Sequence, residues 1–240
     1  MWLVCINKVV IPLASATPRQ ARRSPRQELP PPPFKTRHLG VEDEFYHDPS
    51  KVEAAAALRQ PKTMLPKYAD LVYKIVLRAL PLRAYLPFID DADRTCSFCN
   101  SRETYSHLFV DCDFVQDVWA SLAPAFEPLG VQLPEKLHEF IFASPSTTPR
   151  AHQDAFDTLW PLLRACVWFH VWRARNDSTF RPDLPQASPW AVAHKAARVV
   201  QLHLHHAVAQ DPEPEAKLRL LRTLQESEWA RQHIVPTNVT

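Results

Sequence analysis

The sequence predicts a mainly α-helical fold: a helical domain with a small CCHC zinc-knuckle insertion and a disordered N-terminal arm. Three observations predict it. Among 240 residues there are 2 glycines and 24 prolines, which leaves hairpins without their usual turn residue and favours helices ended by proline. Apolar residues recur at helical spacing over most of the chain beyond residue 50. Four ligand-type side chains, Cys96, Cys99, His107 and Cys112, fall in one short run, CSFCNSRETYSHLFVDC.

The arm comes first. Residues 1–40 hold Lys8, Arg19, Arg22, Arg23, Arg26, Lys35 and Arg37 against the single acid Glu28, and include the run Pro30 to Pro33. Basic, proline-rich sequence of this kind buries too little apolar surface to fold alone. The apolar stretch Trp2 to Ile11 is broken by Asn7 and Lys8, is too short to span a bilayer, and has no basic region ahead of it. No membrane association is expected, and the expected location is intracellular, nuclear or cytoplasmic.

Helices follow. Residues 51–60 are alanine-rich, and over 66–80 Tyr68, Leu71, Val72, Ile75, Val76 and Ala79 share one face. Pro81 and Pro87 are expected to end that segment. After Cys112, the stripe Phe114, Val115, Val118, Trp119 and Leu122 marks a second helix closed by Pro124. The longest candidate runs from about 151 to 180. It carries Phe156, Leu159, Trp160, Leu163, Val167 and Val171 at helical spacing, with Pro161 as a kink or as the true start. Around 166–172 it is apolar nearly all round, as a central core helix should be, so Cys166 and His170 read as packed core residues. Two more helices are expected near 189–209 and 213–232. The first carries His203, His205 and His206, read as a solvated face with partly exposed histidines, since no cysteine or carboxylate stands at ligand spacing. The domain organisation is 1–50 arm, 51–180 metal-stapled helical domain, and 181–240 helical extension.

The clustered ligands carry the chemistry. Two residues separate Cys96 from Cys99, seven separate Cys99 from His107, and four separate His107 from Cys112. Three thiols and one imidazole at such spacing suit one tetrahedral Zn2+. Four protein ligands leave no position for water, so the ion is structural. A disulfide framework would spread its cysteines, whereas Cys5 and Cys166 stand alone. Thr104 can N-cap the turn that carries His107, with Leu108 and Phe109 packed beneath the ion. Three thiolates around Zn2+ leave a net charge near minus one, which Arg94 and Arg102 could offset.

The run CxxC, Glu103-Thr104, His107-Leu108-Phe109, Cys112, followed by a helix bearing Trp119, resembles the zinc-binding domain found C-terminal to reverse transcriptases of non-LTR (LINE-type) retrotransposons. A second block agrees: Trp172, Arg175, Asn176 and Phe180 match that family's W-x-x-R-N-x-x-x-F ending. The stretch from Tyr73 to Leu86 is similar to the helix that leads into the knuckle. The resemblance spans roughly residues 65 to 180. It implies one structural zinc held by Cys96, Cys99, His107 and Cys112, and an RNA or DNA partner. Contacts to that partner would come from Arg94, Arg102, Arg173 and Arg175. The alternative function is a zinc-stabilised protein-interaction domain, a decayed or domesticated retroelement fragment.

No polymerase or other enzymatic activity is expected. Only about ninety residues precede the knuckle, too few for a polymerase palm and fingers. The tetrapeptide Phe88-Ile89-Asp90-Asp91 mimics a metal-binding polymerase hairpin, but two-metal chemistry needs a further carboxylate on a neighbouring strand. An acidic, solvated turn is the better reading. Charge alone does not argue for nucleic acid either. Between residues 62 and 119, Lys62, Lys67, Lys74, Arg78, Arg83, Arg94 and Arg102 face Asp70, Asp90, Asp91, Asp93, Glu103, Asp111, Asp113 and Asp117. That balance is poor for strong phosphate binding.

Overall fold

The computed structural model of the chain describes residues 3–6, 9–12, 61, 63–86 and 88–235, the first two segments as backbone only. The chain divides into two compact units, Met1–Gly40 and Val41–Thr240. In the first, β1 (Leu3–Ile6) pairs antiparallel with β2 (Val9–Pro12), Leu3 opposite Pro12 and Ile6 opposite Val9. β-Branched Val4, Ile6, Val9, Val10 and Ile11 suit an extended backbone. The remainder of the arm and the alanine-rich segment 51–60 lie outside the described residues.

The second unit is helical. α1 (Pro66–Val76) starts with proline at its first position and buries Tyr68, Leu71, Val72, Ile75 and Val76. It ends before the predicted proline stop. Arg78 adopts φ 52°, its N–H reaches the Ile75 carbonyl, and the Ala79 N–H reaches Lys74. This is the paired capping pattern that glycine usually supplies. Ala79 is accordingly exposed rather than on the buried face.

α2 (Asp113–Leu122) buries Val115, Val118, Trp119 and Leu122. A short helix not expected from the sequence, α3 (Leu137–Phe142), buries Leu137, Phe140 and Ile141. Its C-terminal carbonyls at Phe140 and Ile141 accept from the buried guanidinium of Arg164, which does the work of a cap from another helix. Burial pushes that guanidinium down to about 10.

α4 (Gln153–Phe180) is the central helix, and Pro161 lies inside it rather than at its start. It packs on α1, on α5 (Pro189–Ala209) and on α6 (Glu215–Leu224). Ser188 caps α5 through Oγ, 3.2 Å from the Ala191 nitrogen, with Pro189 in the first turn. The helix expected over 213–232 is two helices. Ser227 ends one arrangement and caps α7 (Glu228–His233), its Oγ accepting from the Ala230 N–H at 3.2 Å and donating to the Pro124 carbonyl at 2.7 Å.

A run of aromatic rings links the helices. Phe109 meets Trp168 at 5.5 Å, Trp168 meets Phe140 at 6.0 Å, Phe140 meets Trp160 at 5.6 Å, and Trp160 meets Trp119 at 5.8 Å. Each ring buried in this way contributes roughly 1.5–3 kcal/mol by removal from water. Cys166 is buried in the same core, where burial pushes its thiol up.

Candidate metal centre

The knuckle is a small hairpin followed by a turn of wide helix. Thr95 and Arg102 form an antiparallel bridge, and the Glu103 N–H donates to the Arg94 carbonyl at 3.0 Å. Between them the chain reverses at Asn100, whose φ of 63° is one that asparagine tolerates better than other side chains. The Asn100 N–H returns to the Cys96 carbonyl at 3.1 Å, and the Phe98 N–H points at the Cys96 sulfur at 3.4 Å. Both CxxC thiols thereby face one point.

The other two ligands come from the segment that follows. Thr104 Oγ1 accepts from the His107 N–H at 3.1 Å, the cap expected from the sequence. From His107 to Asp111 the backbone winds as a π turn, closed by the Cys112 N–H on the His107 carbonyl at 2.8 Å. Wide turns of this kind recur at functional sites. Cys112 then leaves the helical conformation (φ −65°, ψ 129°) and stands as the N-cap of α2. Leu108 and Phe109 are fully buried beneath the site.

The four donor atoms lie within 4.8 Å of one another, and among the described residues this is the one cluster of three or more potential ligands. Cys112 Sγ is 3.9 Å from Cys96 Sγ and 3.7 Å from Cys99 Sγ, and His107 Nε2 is 3.1 Å from Cys99 Sγ. A tetrahedron with Zn–S bonds of about 2.3 Å has S···S edges of about 3.8 Å. The sulfur spacing therefore fits one zinc ion and is far too long for a disulfide. Crowding also splits the thiols electrostatically. The hydrogen bond with Cys112 holds Cys96 down to about 4, the same bond raises Cys112, and hydrogen bonding to Cys96 raises His107. Donors that compete for protons in this way suit a shared dication.

Around the ligands, the structure separates the four candidate arginines. Arg102 is exposed at the hairpin. Arg173 is exposed on α4, 3.9 Å from Asp177. Arg94 is half-buried: its Nε donates to the Ile89 carbonyl at 3.1 Å and its guanidinium pairs with the exposed Asp91 at 2.6 Å. Arg175 takes a salt-bridge role. Its side chain is 2% exposed, and its Nε and Nη2 both donate to the carboxylate of Glu103, at 2.5 and 2.7 Å. A guanidinium so committed cannot reach a phosphate without leaving a buried carboxylate unpaired.

Glu103 is the residue that sequence reasoning passed over. It is fully buried and accepts a third bond, from the Arg83 N–H at 3.1 Å. Its signal was its place in the Glu103-Thr104 step; nothing in spacing tied it to a residue 72 positions away. Asp90 and Asp91 behave as the acidic turn expected of them, exposed, with Asp91–Asp93 forming a short 3-10 turn. His205 and His206 are exposed as anticipated. His203 is not: it is buried, with Nδ1 3.0 Å from the Thr63 carbonyl and its ring edge-on to Tyr68.

Fold and site together define a helical domain stapled by a four-coordinate metal knuckle. Residues 46–119, about a third of the chain, match the family described as zinc-binding in reverse transcriptase, and the four-donor cluster lies within that segment. No curated protein and no solved structure matches the chain. Among the described residues, no helix is long and apolar enough to cross a membrane.

Proposed function

We propose that the chain is a nucleic-acid-binding module of the kind carried at the tail of retrotransposon reverse transcriptases, with a structural zinc and no polymerase activity of its own. The observation that carries this reading is the four-donor cluster lying inside the segment that matches the reverse-transcriptase zinc-binding family. All four coordination positions are filled by protein, so the ion would hold the turn in shape and would neither activate water nor bind substrate. Contacts to RNA or DNA fall to exposed Arg102 and Arg173. Clustered thiols that serve a metal also favour a reducing, intracellular compartment.

One observation favours a second reading, a zinc-stabilised protein-interaction domain: Arg175 is spent on the buried Glu103. Affinity for single-stranded RNA and for duplex DNA at two salt concentrations, with and without a chelator, separates the two. Nucleic-acid binding predicts affinity that falls as salt rises and that is lost with the metal. Absence of binding, or binding without a salt slope, leaves the protein-interaction reading.

A further inference from the structure

The knuckle is anchored to the helical body at the residues that flank its ligands. Before Cys96, the Thr95 carbonyl accepts from the Arg83 guanidinium at 3.1 Å. Between Cys99 and His107, Glu103 is held by both Arg175 and the Arg83 N–H. Two residues on, the Tyr105 hydroxyl donates to the Leu80 carbonyl at 3.1 Å and accepts from the Leu80 N–H at 2.8 Å. Of these anchors, Arg175 is the one that comes from the far end of α4, and it makes the only ion pair in which both side chains are within 2% of full burial among the described residues.

We infer that Arg175, acting through Glu103, is a positioning residue for the metal site, so that zinc affinity and the order of the C-terminal turns of α4 are coupled. Glu103 lies four residues after Cys99 and four before His107. Its carboxylate is pinned from two directions, so it fixes where the hairpin ends and where the capped turn of Thr104 and His107 begins. Both pairs of ligands thus take their separation from one buried carboxylate. The bidentate geometry fixes orientation as well as distance, which a single ammonium donor cannot do. Neither residue is a ligand. By linkage, a contact that favours the metal-bound arrangement must itself be favoured by the metal.

The inference rests on the zinc assignment and extends it to residues outside the ligand set. Its test is zinc affinity by competition with a chromophoric chelator, on the full chain, for Glu103→Gln, Arg175→Lys, Arg175→Met and the double variant Glu103→Gln/Arg175→Met. Leu221→Ala, in the buried face of α6, is the control for a loss of stability away from the knuckle. Each single variant is expected to weaken zinc by roughly 10- to 100-fold, the usual effect of losing a group that orients ligands. The double variant should be no weaker than the worse single one, and Leu221→Ala should bind as the wild type does. Cobalt substituted for zinc should keep its tetrahedral d–d bands in every variant, since the ligand set is untouched. Amide exchange over residues 168–180 should quicken when zinc is withdrawn from the wild type. Should Arg175→Met fail to fold, Arg175→Lys carries the comparison, because it keeps the buried positive charge and removes only the fork. Zinc affinities of Glu103→Gln and Arg175→Lys equal to wild type, or weakened only as much as in Leu221→Ala, would overturn the coupling while leaving the metal site intact. A wild-type chain that takes up no zinc would overturn both.

Discussion

The indole N–H of Trp168 donates to the carbonyl of Phe109 at 3.1 Å, across 59 positions of sequence. Through it the central helix meets a backbone acceptor in the π turn between the last two ligands. Trp168→Phe keeps most of the ring packing but leaves that buried carbonyl without its donor. A loss of about 1–3 kcal/mol is expected, read as a lower urea midpoint at unchanged m-value. A midpoint equal to wild type would show that the carbonyl finds another donor.

Withdrawal of metal should destabilise the fold, because the ion binds the folded arrangement of four ligands and not the unfolded chain. With free zinc roughly 1,000-fold above Kd the linkage amounts to about 4 kcal/mol. Thermal melts with and without chelator should differ accordingly. Cys96→Ser and Cys112→Ser should melt at the lower temperature whether or not chelator is present. Identical melts for all six samples would remove the metal from the account of stability.

His170 gives the fold an acid-sensitive term. Burial, helped by Arg173, Lys195 and Lys67, lowers its imidazole to about 4. The unfolded chain therefore takes up this proton first as pH falls from about 6.5. Stability from the neutral ring is complete above that value and is lost progressively down to about 4. His170→Leu should flatten the stability difference between pH 7 and pH 5 relative to wild type, in urea titrations of the zinc-free chain. A slope unchanged by the substitution would assign the acid sensitivity to other groups.

Gly130 closes the short turn Glu127–Leu129 with φ 57°. A Cβ placed there would stand 3.2 Å from the Thr148 Cβ. Gly130→Ala adds left-handed strain to that close approach and should cost at least about 1 kcal/mol. Gly130→Asn, which tolerates the conformation better, should cost less of the strain. If alanine proves the milder of the two in thermal melts, the approach to Thr148 outweighs the backbone.

Much of this architecture was legible in residue spacing. The stripe on α1, the stripe on α2, and the length of α4 all follow from apolar periodicity, and the four ligands from their clustering. What spacing could not supply were contacts between distant polar residues. Arg175 read equally as a nucleic-acid contact or as a cap and salt-bridge residue with Asn176, yet its main partner is Glu103, from another element. His203 looked like one of three solvated histidines, yet Tyr68 and the Thr63 carbonyl cover it. Helix ends were missed for a related reason. With so few glycines, the left-handed position after α1 falls to Arg78, whose side chain does not advertise a turn. Likewise α3 is six residues long, too short for periodicity to register, and is held by Arg164 from outside.

Cys112 is at once the last ligand and the residue from which α2 begins. The ion therefore acts as the origin of a coordinate frame in which the angular phase of α2 is measured. One residue inserted between Cys112 and Val115 would leave every ligand in place yet turn Val118, Trp119 and Leu122 by about 100° about the helix axis, rotating the tryptophan out of its ring contacts with Phe140 and Trp160. The permitted length of that junction is set by helical geometry.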